Sequence, residues 1–209
     1  MITADAITAF VTLFVIIDPI GLAPIFVALT AGIDARTRRK IALRAVLISF
    51  GLLLLFGYFG QALLSAVGIE MPAFRISGGI LLFLIAVQML FERRTERREK
   101  QVEDKEPAKA DPSVFPLALP LLAGPGSMAT IILLMDNNRG DVAGQATLMA
   151  VTAFVLLIAY ILFMSAGLIE HMLGQTGVNV VSRVLGVLLA ALSVQFVLDG
   201  LRDLGLFTA

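Results

Sequence analysis

Continuous apolar stretches of membrane-crossing length decide what this chain can fold into. Six run at about 5–29, 41–67, 72–91, 114–135, 144–169 and 178–199. A helix rises ~1.5 Å per residue, so ~20 apolar residues cross the ~30 Å hydrocarbon core of a bilayer. Inside lipid every backbone N–H and C=O must be satisfied within the protein, which leaves only helices or closed barrels. Barrel strands alternate with period two. These runs are apolar at nearly every position, so they predict six transmembrane helices and an all-α membrane protein.

Composition agrees. The 209-residue chain is 58% hydrophobic and 15% charged, against roughly 45–50% and ~25% in soluble domains. A soluble domain, a disordered chain and a nucleic-acid binder are excluded. The absence of Cys and the single His exclude thiolate and multi-histidine metal centres. No nucleophile elbow, His-pair motif or acidic dyad marks an enzyme. No catalytic residue, metal or cofactor is expected.

Orientation follows from the basic residues, which gather on the cytoplasmic side. Arg36, Arg38, Arg39 and Lys40 follow the first run, and seven more basic residues lie in 92–113. With Arg44 and Arg183 at helix ends, one face holds thirteen of the sixteen; the other has Arg75, Arg139 and Arg202. Both termini are therefore expected outside, with the loop 92–112 in the cytoplasm. The first run has only Asp5 before its core, unlike a cleaved signal. Segment 92–112 also holds seven acidic residues and reads as a solvated linker. Arg75 and Arg183, near span starts, are expected to snorkel to the surface.

The linker, 93–112, divides the chain into segments 1–92 and 113–209. Gly79-Ile80-Leu81-Leu82 leads to Val87-Gln88 and Glu92; Gly186-Val187-Leu188-Leu189 leads to Val194-Gln195 and Asp199. The offset is 107 throughout. Asp18-Pro19-Ile20-Gly21 in the first run answers Gly124-Pro125-Gly126-Ser127 in the fourth at offset 106. Three spans per half make the second half enter from the opposite side. The expected architecture is two inverted three-helix repeats, a pattern of secondary transporters.

The matched segments of the first and fourth runs fall mid-span. Asp18-Pro19-Ile20-Gly21-Leu22-Ala23-Pro24 removes backbone donors, and proline disfavours helical geometry at Asp18 before it. A mid-membrane Asp costs ~2.5–3.5 kcal/mol on insertion scales and needs a partner or a cavity. The first and fourth helices are expected to break at the midplane. A half-helix N-terminus suits a carboxylate, and the preceding half-helix's carbonyls suit an ammonium. Asp18, Pro19, Ile20, Gly21, Pro24, Gly124, Pro125, Gly126, Ser127 and Thr130 are the candidate substrate-binding residues, with Asp18 the candidate proton carrier.

Ile17-Asp18-Pro19-Ile20-Gly21-Leu22-Ala23-Pro24-Ile25-Phe26 resembles the first-span signature of the MarC family. Ala123-Gly124-Pro125-Gly126-Ser127 with Thr130 resembles its fourth-span signature. The likeness covers nearly the whole chain. It implies a six-span bacterial inner-membrane protein. Through its SnatA-type members it also implies a proton-driven transporter of small neutral amino acids such as glycine and alanine. The alternatives are an exporter of drugs or other metabolites and a non-transport membrane protein. The scarcity of Tyr and the lack of Trp argue against a roomy drug site. Oligomeric state is left open by the sequence.

Overall fold

The structure, a computed structural model, describes residues 2–91 and 111–205, with side chains for all of these but 2–5, 167–173 and 175. The charged linker, up to residue 110, and the side chain of His171 lie outside the described residues.

Among the described residues every regular element is helical: α1 (Ile2–Ile17), α2 (Pro19–Leu29), α3 (Ala35–Ala66), α4 (Met71–Leu90), α5 (Ser113–Leu122), α6 (Pro125–Asn137), α7 (Val142–Met164) and α8 (Ala166–Asp203). Five stretches are long and apolar enough to cross a membrane: Ala6–Leu29, Ala35–Ala66, Met71–Leu90, Val142–Met164 and Thr176–Asp203. The pair α5 and α6, bent by 56°, makes a sixth if counted as one span.

Several boundaries differ from the sequence expectation, each for a local reason. The Asp34 carboxylate accepts the Thr37 N–H at 3.0 Å and caps α3. Helix therefore starts at Ala35, and Arg36, Arg38, Arg39 and Lys40 ride on its first turns instead of in a loop. Helix α7 ends at Met164, short of 169. The expected loop at 170–178 is helical backbone, left only at Gly174 with φ 59°, which glycine adopts without a Cβ penalty. Helix α5 is irregular because Phe115 and Leu119 each precede a proline and take extended geometry. Its bonds include Leu117 N–H to Pro112 O and Ala123 N–H to Ala118 O, both five residues back.

The two halves interleave. Helix α3 packs on α5 and α6, while α7 packs on α1 and α2. The rod Ala6–Leu29 is the most enclosed, with 67% of its apolar window buried against 22% for Thr176–Asp203. Leu13, Ile17, Leu22, Phe26, Ile131 and Phe163 fill the centre. Phe26 and Phe163 stack at 4.7 Å, and the Arg38 guanidinium lies 5.1 Å over the Phe26 ring. Exposed Leu43, Leu47, Phe59, Phe83, Val184 and Leu188 give the outside an apolar surface, as a lipid-facing wall requires.

Helices α4 and α8 form the closest pair, antiparallel and held by glycines. A methyl on Gly79 would lie 2.8 Å from the Ser193 carbonyl oxygen, and one on Gly186 would lie 3.3 Å from that of Ala86. Gly79 also meets Val197, and Gly186 meets Leu90. Gly186, Ser193 and Val197 lie 107 residues beyond Gly79, Ala86 and Leu90, so the two sets of contacts are reciprocal. Small residues let membrane helices approach closely enough for dispersion to hold them.

Two measurements test this packing. Gly79→Ala should lower thermal stability in detergent by about 1–3 kcal/mol through overpacking. Gly51→Ala, whose methyl meets nothing within 4 Å, should be neutral or gain up to ~1 kcal/mol of helix propensity; equal effects would remove the close approach. Asp111 accepts the Ser113 N–H at 2.9 Å and hydroxyl at 2.6 Å and pairs with Arg44 of α3. The Ser113 bonds, then the Arg44 charge, hold its carboxyl below the usual range. A lowered folded value stabilises above the ordinary ~3.9 and is lost as pH falls through the lowered value. The melting temperature should therefore fall on acidification below about pH 4, and Asp111→Asn should flatten that part of the fall.

Candidate functional site

Two interruptions carry most of the candidate residues. At the first, α1 ends at Ile17 because Pro19 disfavours helical geometry before it. Asp18 takes φ 54° and ψ 60°, the left-handed region that Asp tolerates better than most residues. Its Oδ1 accepts the Gly21 N–H at 3.2 Å and so caps α2. The backbone ladder carries on around it: Asp18 N–H donates to Phe14 O at 2.9 Å, and Leu22 N–H donates to Asp18 O at 3.1 Å. The rod therefore stays one span while its geometry changes for a single residue. Gly21 is needed here, since a methyl there would lie 2.9 Å from the Asp18 carboxyl carbon and closer to its oxygen. Pro19 takes the first helical position, where no N–H is required. Pro24 has no N–H to give the carbonyl of Ile20, which keeps α2 loose.

At the second, α5 stops at Leu122, Gly124 is extended with φ −88° and ψ 174°, and Pro125 opens α6. The buried Ser127 hydroxyl donates to the carbonyls of Leu122 and Gly124, each at 3.0 Å. It serves the acceptors at the end of one segment, as Asp18 serves a donor at the start of another. No side chain caps the N-terminus of α6. A methyl on Gly124 would strike the Pro120 carbonyl oxygen, so the chain can fold back here only with glycine. Thr130 is fully buried, and its hydroxyl has no hydrogen-bond partner. That is unusual for a helical threonine, which ordinarily donates to a carbonyl one turn back.

The first turn of α6 meets α1 beside the first interruption. A methyl on Gly126 would lie 2.7 Å from Ile85 and 3.5 Å from Ile16, two residues before Asp18. Asp18, Pro19, Gly21, Gly124, Gly126, Ser127 and Thr130 are all buried. Ile20 and Pro24 are half-buried, and Pro125 is exposed, turned away from the others. What the arrangement offers is one carboxylate, an uncapped helix start and small hydroxyl side chains in an otherwise apolar interior. No group of three metal-ligating side chains occurs among the described residues.

Sequence reasoning treated Arg75 as a snorkelling residue, but it is only 12% exposed at its side chain. It donates to Asp136 at 2.9 Å and Asn137 at 2.8 Å on α6, and pairs with Asp203 of α8 at 3.0 Å. Gln61 of α3 adds a 3.4 Å bond to Asp136. Four helices are thus tied at the end where α1 begins. The sequence signal was weak: Asp136 and Asp203 close their helices, and nothing in linear spacing pairs either with Arg75.

The profile of the MarC family of integral membrane proteins matches residues 4–204. The chain is 35% identical over 199 residues to a UPF0056 membrane protein of Aquifex aeolicus, covering 95% of this chain and 92% of that one. It is 34% identical over 208 residues to the UPF0056 membrane protein YvbG of Bacillus subtilis, covering 98% and 97%. With the UPF0056 inner membrane protein YhgN of Escherichia coli it shares 34% over 201 residues, covering 95% and 96%. No solved structure matches. A match over nearly the whole chain, with relatives covered almost end to end, makes this protein a member of the MarC family of integral membrane proteins.

Proposed function

We propose that this protein is a secondary transporter of a small neutral amino acid of glycine or alanine size, coupled to protons and working by alternating access. The single observation that carries the reading is a buried carboxylate at a proline interruption, two residues along the chain from Ile16, which lies against Gly126 at the uncapped start of α6 in the other half. A zwitterion needs those two poles. The Asp18 carboxylate and nearby carbonyls suit its ammonium. The N–H groups and partial positive charge at the start of α6 suit its carboxylate. Gly21, Gly124, Gly126, Ser127 and Thr130 are small residues, which suits a solute with a small side chain.

The architecture in this reading is two inverted repeats, 1–92 and 113–209, with the first and fourth spans broken at the midplane and 93–112 a cytoplasmic linker. The reciprocal α4–α8 contacts at 107 residues, the offset of the sequence repeat, support it. So does the matched packing of α3 on α5 and α6 and of α7 on α1 and α2. The protein sits in the bacterial inner membrane with both termini outside; its likeness to the Escherichia coli inner membrane protein YhgN supports that membrane. Asp18 links proton to substrate. No chemical step is assigned, and the protein acts as a carrier, not an enzyme.

Purified protein in proteoliposomes should take up radiolabelled glycine saturably, faster with an imposed pH gradient and slower with a protonophore. Unsaturable flux, or no flux from folded protein, would overturn the assignment. Asp18→Asn is a clean second test, because Asn both caps helices and tolerates left-handed geometry. It should fold with an unchanged melting temperature and lose about a hundredfold of the gradient-driven rate, the lower end of what a proton-transferring side chain contributes. Asp18→Ala should in addition lose about 1 kcal/mol of stability with the cap.

A further inference from the structure

A cavity of about 220 Å³ opens at the end where α1 begins, lined by Thr8 and Ala9 of α1, Leu134 and Asn137 of α6, and Thr147 and Leu148 of α7, among others. A water takes up ~30 Å³ of liquid, so the space suits several waters or one small amino acid. One turn below its lining there is a pattern. Residues four apart stand one above the other on a helix face. One turn deeper than Thr8 on α1 is Thr12; one turn deeper than Leu134 on α6 is Thr130; one turn deeper than Leu148 on α7 is Thr152. All three threonines are fully buried. Thr12 donates to Thr8 O at 2.7 Å and Thr152 to Leu148 O at 2.8 Å. Thr130 donates to nothing. One further turn along, Ile16 of α1 lies against Gly126 at the start of α6.

Three helices thus supply a hydroxyl layer between the cavity and the interrupted segments. A buried hydroxyl without a partner is costly to keep, and an apolar residue of the same shape would fill the position more stably. The observations carry one economical account. We propose that the cavity is the access vestibule through which a small polar solute reaches the interrupted segments, and that Thr130 is its contact residue at the floor, donating its hydroxyl to a solute oxygen. The pairing of cavity and orphan hydroxyl on one face of α6 is the basis. The inference rests on the transport reading for its solute, but the access route can be tested without it.

The absence of native Cys makes single-cysteine labelling specific. A sulfonated maleimide, applied from the side where α1 begins, should modify Thr147→Cys fastest, Leu134→Cys at least tenfold more slowly, and Thr130→Cys slowest of all. Ile80→Cys on the lipid face should stay unmodified. An inert Leu134→Cys, or an Ile80→Cys as reactive as it, would overturn the vestibule whether or not glycine is carried. Thr130→Val should keep or raise the melting temperature while raising KM for glycine about tenfold with little change in kcat, and Thr130→Ser should restore KM. A Thr130→Val variant with unchanged KM, or one that loses stability in proportion to its activity, would assign the hydroxyl a packing role and overturn the contact. If the wild type carries no glycine, the transport reading fails alone and the labelling order still decides the route.

Discussion

An interrupted helix in apolar surroundings must find hydrogen-bond partners for the backbone groups it frees, and this fold supplies them from two side chains of opposite character. The Asp18 carboxylate accepts from the backbone of Gly21 where α2 begins. The Ser127 hydroxyl shares its one proton between the Leu122 carbonyl, where α5 ends, and the Gly124 carbonyl, which also accepts the Met128 N–H. A freed donor calls for an anion, and freed acceptors call for a hydroxyl. The carboxylate is also the more expensive solution in a membrane, which is why its use at only one of the two interruptions matters for function. Most of what surrounds the pair is apolar packing.

That packing does not respect the two halves of the sequence. Helices α3 and α7 each lie against the interrupted segments of the opposite half, and α4 and α8 meet through Gly79 and Gly186 at near-backbone contact. In lipid, apolar surface gives no preference for helix over solvent, so closeness of approach decides which helices pair. Methyl groups at these positions would push the pair apart. At the two ends of the bundle, arginines replace glycines as the binding element. Arg75 joins α4 to α6 and α8 through carboxylates, and Arg38 joins α3 to α2 and α7 through the Phe26 ring and the Phe163 carbonyl.

Much of this was legible in the sequence, for definable reasons. Six apolar runs announce spans because length and hydropathy are local properties. Asp18-Pro19 marks its interruption because proline acts on its immediate neighbour, and the cap to Gly21 spans only three residues. The start of α3 at Ala35 was misplaced because the Asp34 cap to Thr37 carries the helix back through the basic cluster. The extended geometry at Phe115 and Leu119, each before a proline, was not read from the sequence. The Arg75 pairs, 61 and 128 residues distant in sequence, belong to tertiary structure alone. So does the unsatisfied Thr130 hydroxyl, since a threonine in a helix ordinarily satisfies itself.

The enclosure of the first span also bears on how the molecule is made. The rod Ala6–Leu29 is the first to leave the ribosome, yet the helices that bury it, α6, α7 and α8, come last. The bond from the Gly21 N–H to the Asp18 carboxylate closes within three residues, as do its backbone neighbours to Phe14 and Leu22 within four, so all of them can form on the nascent chain without the second half. Biogenesis therefore favours a carboxylate that satisfies its own helix before the packing around it is complete.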